Sequence, residues 1–380
     1  MPKAWPERHP AFFPAADRRC REASDLAACR DLLRGGSRSF HAASLLLPRR
    51  VRDPATALYA FCRLADDAVD LCGDDRLVAI DALRERLERA YEGRPLAIPA
   101  DRAFAAAVAR FGVPRALPEA LLEGFGWDAE GRRYATLRDL HAYAARVAGT
   151  VGAMMAVLMG AREPGVVARA CDLGVAMQLT NIARDVGEDA RCGRLYVPET
   201  WLRDAGIDPD DWLARPVFDP ALAGVVRRLL ASAERLYARA DAGIARLPPS
   251  CRPGIAAARH LYAAIGGEVE RRGFDSVSHR AVAPAGRKAL ALVRGGRAAL
   301  PEVGCGEFAP PLDETRFLVE AVAGAPEPAE IPTRPAPRVG ERAIWLFELL
   351  QRLDGGESSK RPSFGRAFEE GETSCGTSWA

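Results

Sequence analysis

The chain has 380 residues, 48% of them hydrophobic, and its 53 Lys and Arg against 51 Asp and Glu leave a net charge of +2. That apolar content is ample for one large core or two ordinary ones, and the near-balance of charge supplies no field for nucleic acid, so none is expected as a partner. Ala is abundant and runs of alternating Val, Ile, Thr and Tyr are scarce, which predicts an all-α fold.

In chain order, residues 1–20 are broken by Pro2, Pro6, Pro10 and Pro14 and read as a flexible arm without the apolar stretch of a signal peptide. Residues 21–300 show successive helical patterns with short Gly or Pro breaks and are predicted to form one catalytic domain. "GFGWDA" (124–129) matches a dinucleotide-binding fingerprint, but it follows a helical stretch where that fingerprint needs a strand, so no NADPH is expected. The longest uncharged stretch, 147–161, is too short for a membrane span. Residues 301–338 are Pro-rich and read as a linker. An amphipathic helix is expected over 339–353, to dock on the domain's own core or on a membrane surface or partner enzyme. Residues 354–380 read as a disordered tail. Nine scattered cysteines without zinc-ligand spacing read as reduced thiols, which places the protein in the cytoplasm, with peripheral attachment at the inner face of the membrane as the further option.

Two segments carry the chemistry. In "NIARDVGED" (181–189), Asn181, Asp185 and Asp189 are four residues apart and share one face of a helix. On a solvated helix their repulsion is trivial, with Arg184 and Arg191 at hand. Against an apolar wall, two such carboxylates repel by roughly 3 kcal/mol at an effective dielectric near 20, enough to raise a pKa or recruit a cation. "ALYAFCRLADDAVD" (57–70) repeats the device: Asp66 and Asp70 lie four apart, Asp67 sits beside them, and Arg63 is one turn earlier. If the two helices face each other, they form a cage of hard oxygen ligands suited to Mg²⁺, an ion held by a few carboxylates together with substrate phosphates. The implied substrate is a phosphate or diphosphate ester.

Several motifs in this order resemble the squalene and phytoene synthase family of head-to-head prenyl transferases: "SRSFHAASLLLP" (37–48), "YAFCRLADDAVD" (59–70), "YAARVAGTVG" (143–152), "QLTNIARDVGEDARCGRLYVP" (178–198) and "ARHLYAAI" (258–265). The resemblance spans about residues 21–288. It implies a single-domain isoprenoid-synthase fold with a central cavity between two aspartate-rich helices. Asp66, Asp67, Asp70, Asn181, Asp185 and Asp189 would hold Mg²⁺, or Mn²⁺ in its place. Ser37, Ser39, Arg63, Gln178, Arg184 and Arg280 would contact diphosphate, with Tyr262 beside them; Ser37 has the alternative reading of a helix cap.

Within the family, the phytoene synthase motifs imply condensation of two geranylgeranyl diphosphates. An allylic cation, a cyclopropylcarbinyl (prephytoene) diphosphate and a second ionisation would lead to phytoene, the first committed step of carotenoid synthesis. Ala148, Gly149, Gly152 and Ala153 are expected to leave room for the chains, and Phe40, Tyr59 and Tyr143 either to offer π-faces to a cation or simply to line the cavity or pack in the core. The alternatives are squalene or dehydrosqualene synthesis from two farnesyl diphosphates, a single-substrate terpene cyclase, and a non-catalytic lipid-binding or assembly protein on the same scaffold. Other carotenoid-pathway enzymes are candidate partners.

Overall fold

The protein is described here from a computed structural model covering residues 15–71, 76–297 and 308–326, which carry α-helices and no strand. The helices are α1 (Ala15–Gly36), α2 (Arg38–Ser44), α3 (Arg49–Leu71), α4 (Arg76–Tyr91), α5 (Pro99–Phe111), α6 (Ala116–Ala129), α7 (Leu137–Ala144), α8 (Thr150–Leu158) and α9 (Pro164–Arg191). They continue with α10 (Glu199–Asp204), α11 (Pro209–Ala214), α12 (Pro220–Arg246), α13 (Arg252–Arg271), α14 (Ala285–Arg297) and α15 (Arg316–Ala323). A π-helical segment, Ala145–Gly149, joins α7 to α8 without a loop.

The axis of the fold is α9. Pro164 opens it, where a missing N–H costs nothing, and the apolar residues of its middle turns are buried all round rather than on one stripe. It packs against α8, α12, α13 and α15. Close approach to α8 and to the π-helical segment before it depends on two glycines: a Cβ on Gly152 would stand 2.1 Å from the Ala170 carbonyl oxygen, and one on Gly174 would stand 2.2 Å from that of Ala148. Of the four small residues expected to make room for substrate, Gly152 therefore serves a helix-to-helix contact as well, and Gly149 and Ala153 do not line the cavity at all.

Two boundaries differ from those read in the sequence. Helix α1 begins at Ala15, inside the stretch read as an arm, and its Asp25 accepts two hydrogen bonds from Arg102 of α5, one of them at 2.8 Å. The Pro-rich stretch read as a linker contains α15, whose Leu318 is fully buried and which packs on α8 and α9. Arg239 donates to the Pro310 carbonyl at 2.7 Å, tying that strap to α12. Its composition hid this, because a Pro-rich approach masks one short apolar helix. Cysteines 20, 29, 62, 171 and 251 are free thiols, whereas Cys192 is disulfide-bonded, against the expectation of a fully reduced set. Residues 339–380 lie outside the described ones.

Candidate active site

An apolar cavity lies among α2, α3, α8, α9, α12 and α13. Helix α9 lines it with Val166, Arg169, Ala170, Leu173, Gly174, Met177, Gln178 and Asn181, one face of the helix. From Val166 to Asn181 the cavity follows α9 for about 22 Å at about 1.5 Å per residue. Its polar groups gather at one end: Arg63 from α3, Gln178 and Asn181 from α9, and Tyr262 from α13. The far end is formed by apolar groups such as Met159, Ile244 and Leu247, and by Arg169, whose guanidinium pairs with Asp172 at 2.9 Å. Phe40 and Tyr59 stack in the wall, ring centroids 5.6 Å apart, and the buried Tyr59 hydroxyl has no hydrogen-bond partner among the described residues.

At the polar end, Asp66 is 3% exposed and Arg63 reaches it at 3.7 Å, while Asp67, on the rim, takes a hydrogen bond from Arg63 Nε at 3.2 Å. Asp70 continues the stripe on the backbone of α3; its side chain lies outside the described ones. On α9, Asp185 is clamped by two guanidiniums. Arg184 Nε donates at 2.7 Å and Arg280 Nε, from the loop after α13, at 2.8 Å. Burial pushes the Asp185 carboxyl up, but these bonds and charges outweigh it and hold the group below its ordinary value. Asp189, one turn on, is driven well above its ordinary value by burial first and then by the charge of Asp185, with Arg194 opposing. Arg280 also reaches Glu188 at 3.2 Å. Burial pushes the Tyr262 hydroxyl up to about 12, against the pull of Arg184.

Arg63, Gln178, Asn181 and Tyr262 thus meet at one cavity mouth, with Asp66, Asp67, Arg184, Asp185, Asp189 and Arg280 on the helices and loop that carry them. Ser37 sits apart in role. It is fully buried and its hydroxyl caps α2, accepting from the Phe40 N–H at 3.1 Å, which is the cap reading of that residue. The Ser39 side chain lies outside the described ones. Among the described residues no three His, Cys, Asp or Glu side chains are gathered tightly enough to hold an ion unaided. The donor set still fits a hard cation: it is all oxygen, and buried Asn181 Oδ1 accepts no hydrogen bond from any described residue.

Sequence reasoning missed a buried network behind Asp189. Asp128 accepts hydrogen bonds from the hydroxyls of Tyr143, at 2.8 Å, and Tyr196, at 2.7 Å, and both rings belong to an aromatic cluster with Tyr134. Tyr143 is therefore a support for this network and not a cavity wall. The signal was present: an acid in the run from Gly124 to Ala129, which carries no other charge, must find partners or stay protonated.

A mostly apolar cavity whose polar end is Arg63, Gln178, Asn181 and Tyr262, with carboxylates and further guanidiniums on the elements that carry them, is an architecture of the prenyl-transferase type. The squalene/phytoene synthase family profile matches residues 33–287. The chain is 54% identical over 351 residues to a phytoene synthase of Cereibacter sphaeroides, covering 89% of this chain and 97% of that one. It is 58% identical over 267 residues to a phytoene synthase of Rhodobacter capsulatus, covering 70% and 79%. Among solved structures it is similar to a dehydrosqualene synthase in complex with ligand, at a TM-score of 0.65 and 29% identity, covering 73% of this chain and 97% of the other. The chain belongs to the squalene/phytoene synthase family.

Proposed function

We propose that this chain is a phytoene synthase that joins two geranylgeranyl diphosphates head to head and releases two diphosphates and a C40 hydrocarbon. The observation that carries this reading is the one-ended polarity of the cavity: Arg63, Gln178, Asn181 and Tyr262 at one mouth, and mostly apolar walls along the roughly 22 Å of α9 back to Val166, where Arg169 is paired with Asp172. A diphosphate belongs at the first end and a long prenyl tail at the second. Relatives at 54% and 58% identity are phytoene synthases, which favours the C20 substrate over the C15 substrate of the squalene branch.

Asp66, Asp67 and Asp70 on α3, with Asn181, Asp185 and Asp189 on α9, would hold Mg²⁺ or Mn²⁺. A bound divalent ion neutralises the diphosphate and so makes it a better leaving group. Arg63, Arg184 and Arg280 supply guanidinium forks for the phosphate oxygens, and Gln178 supplies an amide at the same rim. Arg184 and Arg280 hold Asp185 ionised in the meantime, so the carboxylate is ready before substrate arrives. Tyr262 keeps its proton to high pH and stands in the wall as a hydroxyl donor. The stacked Phe40 and Tyr59 present ring faces to a developing allylic cation, and the closed apolar walls keep water from it. Each turnover loses two protons, one on forming the cyclopropylcarbinyl diphosphate and one on forming the hydrocarbon, and needs no reductant, so NADPH has no place in it.

Substrate and product are both lipids. Among the described residues no helix is long and apolar enough to cross a membrane. The reading therefore includes a cytoplasmic chain working at the inner membrane surface, beside the enzymes that make its substrate and use its product. The test is incubation with Mg²⁺ and geranylgeranyl or farnesyl diphosphate, with and without NADPH, and identification of the hydrocarbon by mass. A C40 product from the C20 substrate without NADPH is expected. A C30 product alone would move the chain to the squalene branch, and no hydrocarbon would favour a lipid-binding role.

A further inference from the structure

A second pocket opens between α1, α2 and the first turns of α3, lined by Arg30, Arg34, His41, Arg49, Arg52 and Asp53 among others. It is separate from the catalytic cavity: Arg52 precedes Asp66 on α3 by fourteen residues, about 21 Å at about 1.5 Å per residue. Its charges do not balance. Arg34 is engaged by Asp31 at 3.1 Å and Arg30 by Asp53 at 3.5 Å, and Asp53 is the one acid in the lining. The guanidiniums of Arg49 and Arg52 form no hydrogen bond or ion pair with any described residue. Arg49 is exposed and Arg52 is half-buried. Burial pushes the Arg52 guanidinium down, Asp53 opposes this, and Arg49 and Arg30 reinforce it. Burial, with Arg34 and Arg52, likewise keeps His41 below its ordinary value, so the ring adds a hydrogen-bond donor and no charge near neutrality.

A half-buried cation beside other cations, with no acceptor, is an unfavourable arrangement that an anion would relieve. The hydroxyls in the pocket cannot serve as its main donors. Ser44 donates to the His41 carbonyl and Thr56 to the Arg52 carbonyl, each at 2.8 Å, so recognition falls to the arginines. Two guanidinium forks on successive turns, Arg49 and Arg52, suit the several oxygens of a phosphate group better than a single carboxylate.

We infer that this pocket is an anion site, distinct from the catalytic one, that takes a phosphate or diphosphate group. Such a group has two sources: free inorganic diphosphate, which the proposed reaction releases, or the headgroup of an anionic phospholipid at the membrane surface. The inference does not depend on which hydrocarbon the enzyme makes.

The full chain should be titrated with inorganic diphosphate in EDTA, so that a metal-dependent catalytic site is silent, and separately floated with phosphatidylcholine vesicles with and without phosphatidic acid. The variants are Arg49→Gln, the double variant Arg49→Gln/Arg52→Gln, and Arg280→Gln as the catalytic-rim control. The wild type and the Arg280 variant should bind alike, and the double variant about tenfold more weakly. Diphosphate should raise the melting temperature of the wild type and leave the double variant unmoved. Binding of diphosphate assigns the free anion as ligand. Binding confined to phosphatidic acid vesicles, and lost in the double variant, assigns the headgroup. Should the double variant fold poorly, Arg49→Gln alone, at an exposed position, must still weaken binding several-fold. Binding equal in wild type and arginine variants, or binding of neither anion, would overturn the proposal.

Discussion

On α3, Asp67 is held by Arg63 of the same helix, one turn away, and remains on the rim. On α9, Asp185 is held by Arg184 beside it and by Arg280, 95 residues further along the chain. The two stripes look alike as sequence but stand in different surroundings, one on the border of the core and one on the helix that runs through it. An acidic stripe can be built into a fold by its own helix or by the rest of the molecule. In the second case stability and chemistry share the same residue.

The largest effect should follow from breaking the α9 side. Asp185→Asn should lower hydrocarbon formation by about three orders of magnitude and, by removing the buried carboxylate that two guanidiniums share, reduce stability by about 3 kcal/mol. Urea unfolding and product assay would check both. Asp67→Asn, the matching change on α3, should move stability by less than about 0.5 kcal/mol, because both it and its partner on the same helix keep contact with solvent. Equal losses of stability in the two variants would erase the contrast.

Gly174→Ala sharpens it further. Its Cβ would meet the Ala148 carbonyl at 2.2 Å, and a loss of about 2 kcal/mol is expected. Gly224→Ala on α12, where nothing stands within 4 Å of the new methyl, should instead gain about 0.5 kcal/mol from helix propensity. Tyr143→Phe removes one of the two hydroxyls on Asp128 and should cost about 1 kcal/mol, read by thermal melting. The smallest effect concerns pH. Burial lowers the pKa of His141 from 6.5, so the unfolded chain takes the proton first. Its contribution is complete above about 6.5 and is lost as pH falls through the folded value. His141→Gln should flatten the fall in melting temperature between about pH 7 and pH 5.

The all-α class and both stripes were legible in the sequence because they rest on local periodicity: apolar runs free of Gly and Pro, with acids four apart. What needed the fold was everything set by distant neighbours. That Arg280 meets Asp185, that Asp128 anchors two tyrosines, and that Gly174 makes room for a carbonyl of the π-helical segment are tertiary facts without a local period. Ser37 could be read as cap or as ligand contact from sequence, and the hydroxyl is at the cap. The apolar helix α15 was obscured by the prolines around it, and its burial is visible only against α8 and α9.

The central claim is that both stripes serve one reaction at one cavity mouth. It is tested most directly by hydrocarbon formation from geranylgeranyl diphosphate in Asp66→Ala, at saturating Mg²⁺, with the fold verified by circular dichroism. Asp66 is reached by Arg63 of its own helix at 3.7 Å, so this variant changes the α3 stripe while keeping Asp185 between Arg184 and Arg280. A rate reduced by about three orders of magnitude is predicted, with a melting curve close to wild type. A rate near that of the wild type would contradict the two-helix site and leave α9 to act alone.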